Sequence, residues 1–381
     1  MRNRELRIGI DALQVTPLGA GVARYIKELL AALREALGGS EVLTAFVQRS
    51  ALQVLPAPSD GLTYRVLADG PTWRRIIRQQ INLPLARREF DVFHFPDYLT
   101  PVWWGKVPFV GTVHDMAYTV DRTFFTPGQR TLRRLANPLM IRRAAHLIAD
   151  SHFTRLEALR CFPWLPESRV SVVYPGIPLL RAAGDEEQVA RRYRLPHRFV
   201  LSVGTLEPRK NLQSLVKAFA CPDLANESLV LVGGEGWGPS VRTSFGADRQ
   251  LEARIHAIGH VPDAHLAAIY RRASLFAYVS RYEGFGFPLL EALAAGLPAV
   301  ASDIPALRET SHGAALFVDP NSPQSIARGI RELLDNEELR ARLTRAGAEV
   351  AQGYSWRSCA EGVLHVYRQA SMVENGIGCD G

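Results

Sequence analysis

Two glutamates, Glu283 and Glu291, stand eight positions apart in SRYEGFGFPLLEALAAGLP, the stretch from Ser280 to Pro298, with glycines and a proline between them. A plain core helix needs none of these. Pro288 suits a first helical position, where its fixed φ and missing N–H cost nothing, and Gly296 followed by Pro298 supplies a stop, so the spacing predicts a helix over 288–295. Glu283 then belongs to the loop ahead of the helix and Glu291 to its first turn, where the two carboxylates can address different parts of one polar ligand. Gly284 and Gly286 allow close backbone approach beside the free N–H groups of the helix start. The plainer alternative makes Glu291 a complement to the helix dipole and the glycines a tight turn.

A second cluster, SVGTLEPRKN (Ser202–Asn211), places Arg209 and Lys210 side by side behind the glycine turn at Gly204. One cation is forked and the other pointlike, a combination suited to a diphosphate; a solvent-exposed basic turn is the alternative. A third, PLGAGVAR (Pro17–Arg24), carries Gly19 and Gly21 but fails as a dinucleotide fingerprint, because the third glycine is missing and Glu41 precedes the second strand. It predicts only a close backbone approach. TVHDMAY puts His114 and Asp115 at a strand end, where His114 reads as functional because of the neighbouring carboxylate, while His94 in VFHFPD reads as a core histidine with a satisfied hydrogen bond. Walker loops, Asp-x-Asp, His-Glu-x-x-His and Gly-x-Ser-x-Gly are all missing from the sequence. Phosphate charge must then be met by arginine, lysine and helix termini, with no metal.

These residues need strand ends to hold them, and the chain supplies them. Strands are expected at ELRIGIDAL, EVLTAFV, DVFHF, PFVGTVHD, AAHLIADS and RVSVVYPG, alternating with helical patterns such as ARYIKELLAALREAL. Residues from Pro175 to about His197 lose this periodicity and read as a hinge, and a second series follows with RFVLSVGTL, SLVLVGG, LFAYVS and PAVASD. The expected fold is α/β, two doubly wound Rossmann-like domains facing a central cleft, over residues 1–175 and 176–357, with SMVENGIGCDG (371–381) as a frayed tail. A length of 381 residues with 47% hydrophobic content also favours two domains.

The net charge of +7 is uneven: residues 1–180 carry 23 Lys/Arg against 15 Asp/Glu, and the remainder 22 against 23. Arginine pairs interleave with apolar residues in WRRIIRQQINLPL and RTLRRLANPLMIRR, a pattern that fits anionic lipid headgroups or a phosphorylated acceptor, with solvated helix faces as the alternative. No nucleic-acid-binding motif accompanies the charge. Cys161, Cys221, Cys359 and Cys379 lack any paired spacing, no run of eighteen apolar residues occurs and no export signal is legible at the start, so the expected compartment is the cytoplasm.

The blocks EGFGFPLLEALAAGLP, SVGTLEPRKNL, IGHVPDAHLAAIYRRA, RVSVVYPGI and YSW occur in the order found in family 4 of the retaining GT-B glycosyltransferases, and the chain resembles that family over most of its length. The match is strong from Phe199 to Trp356; in the amino-terminal part PLGAGVARYI, TVHDMAY and IADSHFT carry it. The resemblance implies that Arg209 and Lys210 hold the diphosphate of a nucleotide sugar, that Glu291 accepts from ribose hydroxyls, and that Glu283 lies near the donor hexose. It further implies that Phe285 and Gly286 present backbone N–H groups to sugar or phosphate, that Gly21 lies beside the diphosphate and that His114 lies near the sugar. Gly19, Gly204, Gly284, Asp115 and Val261 fall within the matching blocks and count as substrate-binding positions. Phe287 stands where smaller aliphatics are common and alters the expected sugar pocket. A closing helix, about 358–370, should cross back onto the first domain, which by analogy takes the acceptor while the second takes the donor.

The expected activity is transfer of a hexose with retention from a nucleotide sugar to a glycan or lipid-linked acceptor, without metal or other cofactor. TLEPRKNL resembles bacterial mannosyltransferases of surface polysaccharide assembly, so GDP-mannose is the first choice of donor, with UDP-sugars open. The partners expected are thus the nucleotide sugar, the acceptor and an anionic membrane at the inner face of the cell, with no nucleic acid. The alternatives are a nucleotide-sugar epimerase of GT-B type and an inactive nucleotide-sugar-binding module.

Overall fold

A computed structural model describes residues 5–17, 19, 21–177, 186–238 and 248–372. Two compact units emerge. The first comprises residues 1–119, 129–176 and 354–381, and the second residues 120–128 and 177–353.

The first unit holds seven strands, β1 (Leu6–Asp11), β2 (Glu41–Gln48), β3 (Leu62–Leu67), β4 (Val92–Phe95), β5 (Phe109–Val113), β6 (His146–Ala149) and β7 (Val170–Val172), in the order β3-β2-β1-β4-β5-β6-β7. Every pairing is parallel, as in Ile8 opposite Leu43 on one side and Val92 on the other. Parallel neighbours require crossover helices on both faces, which is why central strands such as β4 and β5 are buried along their whole length. The helix Val22–Ala36 shows the matching pattern: Ala23, Ile26, Leu29, Leu30 and Leu33 recur at helical spacing and are buried. Phe93 and Phe95 pack tilted against each other, Trp104 meets both edge-on, and Phe109 meets Phe95 edge-on.

The last helix, Trp356–Met372, completes this unit rather than the second. It packs along the helix Val22–Ala36, sends the Tyr367 hydroxyl 2.7 Å from His94 Nδ1, and joins Arg368 to Glu41 at 2.6 Å. His94 is wholly buried, with Thr112 Oγ1 2.8 Å from its other ring nitrogen, the core role read from the sequence. Burial, reinforced by the charge on His114, pushes its pKa down to about 3.

The second unit repeats the scheme with β8 (Val200–Val203), β9 (Leu229–Val232), β10 (Ile255–Gly259), β11 (Leu275–Tyr278), β12 (Ala299–Ser302) and β13 (Leu316–Val318), ordered β10-β9-β8-β11-β12-β13 and again parallel throughout. Leu215, Phe219, Leu229, Leu231, Leu275, Val300 and Ile330 belong to its core.

Three details differ from the sequence reading. Residues 120–128 group with the second unit, where the Phe125 ring stacks on Trp237 at 6.2 Å. Within the expected hinge, Glu186–Tyr193 is a helix whose Glu186 and Glu187 pair with Arg271 and Arg272, so it belongs to the second unit; residues 178–185 lie outside the described residues. Of the expected tail, residues 371 and 372 still belong to the closing helix, and 373–381 lie outside the described residues. Among the described residues no helix is long and apolar enough to cross a membrane.

Candidate active site

In a doubly wound sheet, ligands bind beyond the carboxyl ends of the strands where the strand order reverses direction. In the second unit that point lies between β8 and β11. The loop after β8 carries Gly204 and the turn Pro208–Lys210, and the loop after β11 carries Ser280–Glu283. They are stitched together: Arg281 N donates to Arg209 O at 2.9 Å, and Arg209 Nη1 donates to Tyr282 O at 3.1 Å. Asn211, buried and left-handed at φ 57°, donates from Nδ2 to Val279 O at 3.0 Å and Pro320 O at 2.7 Å.

The charges converge on Glu283. Arg209 Nη1 donates to Glu283 Oε2 at 2.8 Å and Lys210 Nζ to Oε1 at 2.7 Å, while Arg209 Nε and Nη2 both reach Glu207 Oε1, at 3.1 and 2.7 Å. Lys210 also donates to the Tyr278 hydroxyl at 2.7 Å. All four charged side chains are largely removed from water. Burial opposes ionisation of Glu283, but Arg209 and Lys210 outweigh it and hold its pKa down at about 2. Burial lowers the pKa of Lys210, against the opposing pull of Glu283. The group is an alternating chain of charges, Glu207–Arg209–Glu283–Lys210, in which Arg209 lies between two carboxylates and Lys210 between Glu283 and the Tyr278 hydroxyl.

The second glutamate is placed differently. The helix runs Phe287–Ala294, one residue earlier than expected, so Glu291 sits beyond its first turn; this corrects the dipole reading. Its buried carboxylate accepts from the Tyr270 hydroxyl at 3.2 Å. Gly286 caps the helix at φ 93°, and a Cβ there would fall 2.5 Å from Leu307, so only glycine fits. Gly284 and Phe285 are buried, the Phe285 ring lies 4.9 Å from Phe287, and the Phe285 carbonyl accepts from Thr310 Oγ1 at 2.9 Å. Val261 is buried in the loop after β10.

In the first unit His114, just beyond β5, is clamped between two neighbouring strand ends. Its Nδ1 lies 2.6 Å from Asp150 Oδ2, after β6, and its Nε2 lies 2.8 Å from Pro96 O, after β4. A carboxylate and a carbonyl only accept, so both ring nitrogens carry hydrogen and the ring is an imidazolium. Burial works against that charge, yet Asp150 prevails and raises the His114 pKa to about 9. The carboxylate partner is thus Asp150, not the adjacent Asp115, whose Oδ1 instead accepts from Ala117 N at 3.0 Å in a local turn. Sequence reading missed Asp150 although it ends the strand in AAHLIADS.

Gly21, at φ 57°, caps the helix Val22–Ala36, and Tyr25 one turn on packs edge-on against His114 at 4.9 Å. The glycine loop and His114 are therefore neighbours, with Gly19 N closing a turn onto Thr16 O at 3.0 Å. Two further carboxylates sit where the first sheet reverses, between β1 and β4. Asp11 accepts from Gln79 and from Leu13 N at 3.1 Å, and Asp97 from Gln14 at 2.6 Å. Burial lifts the Asp11 pKa to about 6. A single acid in GIDAL carries little signal, and neither residue was singled out from the sequence.

Two doubly wound parallel units with charged groups at their strand reversals define a GT-B nucleotide-sugar transferase fold. The chain belongs to glycosyltransferase family 4: the family profile described as Glycosyltransferase Family 4 matches residues 19–181, and that described as Glycosyl transferases group 1 matches residues 185–350. A D-inositol 3-phosphate glycosyltransferase of Thermobispora bispora is 30% identical across 97% of this chain and 96% of its own. O-antigen chain mannosyltransferase B of Escherichia coli is 28% identical across 73% and 74%. The Anabaena HepE structure in complex with UDP and glucose superposes with a TM-score of 0.74 at 17% identity, covering 96% of this chain and all of that one, a likeness of fold.

Proposed function

We propose that this glycosyltransferase moves a hexose with retention from a nucleotide sugar to a glycan or lipid-linked acceptor in surface polysaccharide assembly, without a metal ion. The observation that carries the reading is the convergence of Arg209 and Lys210 at the β8/β11 reversal, both fixed by Glu283. Cleaving the anomeric C–O bond builds negative charge on the departing nucleoside diphosphate. Cations held in place before the reaction lower that barrier without reorganising.

Glu283 serves to aim these cations and orient the donor. A carboxylate carrying two charge-assisted hydrogen bonds, with its pKa held near 2, is a weak nucleophile. His114 has no lone pair available as an imidazolium and serves as a fixed positive charge rather than a base. Both points favour a front-face route in which the leaving phosphate itself takes the proton of the acceptor hydroxyl. Glu291 with Tyr270 is assigned to the ribose hydroxyls, and the backbone at Gly21, Gly204 and Phe285–Gly286 to phosphate and sugar. The second unit is assigned to the donor and the first to the acceptor.

With phosphate charge met by side chains, chelation with EDTA leaves the rate unchanged. An absolute requirement for a divalent cation in a transfer assay would overturn the metal-free assignment.

Mannose is the favoured sugar, supported by the resemblance to O-antigen chain mannosyltransferase B. A UDP-sugar is the second reading, favoured by the UDP and glucose bound in HepE. A thermal-shift panel of nucleotide sugars decides between them: a donor present at a hundred times its Kd adds roughly 2.7 kcal/mol to the folded state. GDP-mannose should give the largest shift, and a larger shift with any UDP-sugar would displace it. Release of free nucleoside diphosphate only when acceptor is present separates transfer from epimerisation.

A further inference from the structure

On the first unit, the helix Thr72–Ala86 turns large apolar side chains outward. Trp73, Ile77, Ile81 and Leu85 follow one another at four-residue steps and are 57, 48, 54 and 74% exposed. Four-residue steps keep them on one side of the helix. The same helix buries Gln79, Leu83, Pro84 and Ala86 against the unit, so the outward stripe is a second apolar face. Beside it the loop after Thr100 projects Val102 and Trp103, 73 and 66% exposed.

That loop is held rather than loose. Val102 N donates to Gln80 Oε1 at 2.8 Å, Gln80 Nε2 to Thr100 O at 3.2 Å, and Arg143 Nη1 to the carbonyls of Pro101 and Val102 at 3.1 and 2.7 Å. The Arg87 guanidinium lies 4.5 Å from the Trp103 ring centre. Exposed Arg74, Arg88, Arg134 and Arg142 accompany the apolar residues, and Leu135, on the helix that ends at Arg143, is 70% exposed. Residues 72–88, 98–108 and 129–143 together contain eleven Lys/Arg and no Asp or Glu.

We infer that this face docks the protein on a lipid bilayer bearing anionic headgroups, with Trp73, Ile77, Ile81, Leu85, Val102 and Trp103 entering the boundary between headgroups and acyl chains. A basic amphipathic element carrying tryptophan is built for that boundary, where apolar burial and attraction to anionic lipid act together. A second copy of the chain fits less well. An isologous dimer through this face would set arginines against arginines with no acidic side chain in these segments to separate them. The inference is independent of the sugar-transfer reading, since it uses none of the same residues.

The test is sedimentation of the full chain with vesicles of phosphatidylcholine alone or containing phosphatidylglycerol, at low and high salt. Binding should require phosphatidylglycerol and weaken as salt rises. The exposed double change Ile77→Glu/Ile81→Glu should reduce it at least tenfold while the melting temperature and its shift by nucleotide sugar stay unchanged. Arg74→Gln/Arg88→Gln should weaken binding and flatten its salt dependence. The inference fails if phosphatidylglycerol vesicles leave the protein in the supernatant at low salt, or if the Ile77→Glu/Ile81→Glu protein binds like the parent. It fails equally if ultracentrifugation shows a dimer that this variant converts to monomer.

Discussion

Alanine at both Arg209 and Lys210 lowers turnover about a thousandfold or more, since removing one donor aimed at developing charge typically costs ~10²–10³ in kcat. The two side chains meet on one carboxylate, so their effects should not add: with either gone, Glu283 loses a tether and the other cation loses its aim. The double variant also leaves the shielded carboxylates of Glu207 and Glu283 without their cationic partners, and stripping a buried pair of one member costs about 3–5 kcal/mol. Folding must therefore be measured beside the rate. Glu283→Gln supplies the comparison: it keeps the shape and one accepting oxygen but sets an amide NH2 against the second cation, so both cations remain while their aim is weakened. Near-parental turnover in a folded R209A/K210A protein would remove the leaving-group role from these residues.

The second large effect is a pH dependence of stability centred on His114. Its pKa in the folded chain is raised to about 9, above the ordinary value near 6.5. The folded state thus binds a proton that the unfolded chain gives up first. The stabilisation is complete below pH 6.5 and disappears as pH climbs through 9, a loss of about 3 kcal/mol for the shift involved. Urea unfolding of the parent and of His114→Gln at pH 6 and pH 10 should show the parent losing that much more. Asp150→Asn should remove most of the difference, because it deletes the counter-charge. Parallel pH profiles for parent and His114→Gln would show that the ring is not held as an imidazolium.

The fold was legible from the sequence at every strand in the middle of a sheet and at one edge, β7. β1, β2, β4, β5 and β6 in one unit and β8, β9, β11 and β12 in the other are largely apolar runs and mostly buried. The three strands not expected, β3, β10 and β13, are all edges. LTYRVL shows its polar side to water, IHAIG is mostly unburied and irregularly paired, and LFV spans only three residues, so each gives a weak periodic signal.

The candidate site divides the same way. Arg209, Lys210 and Glu283 were legible because each follows a strong strand, and a strand end in a doubly wound sheet is a place for ligands. What joins them was not: Glu207, Asn211 and Tyr278 work through contacts that only the fold creates, such as Asn211 reaching Pro320 across 109 positions. His114 illustrates the converse. Adjacency in sequence suggested Asp115, but successive residues leaving a strand point apart, and the neighbouring strand brings in Asp150, thirty-six residues on.

The helix Trp356–Met372 closes the first unit through Tyr367 on His94, Arg368 on Glu41 and Trp356 beside Tyr25. Synthesis runs from the other end, so the ribosome makes every strand of the second unit before the element that seals the first. During translation the amino-terminal half waits with its inner face uncovered, and the carboxyl-terminal half can finish ahead of it. A stop codon before residue 356 would consequently injure the part of the protein that was made earliest.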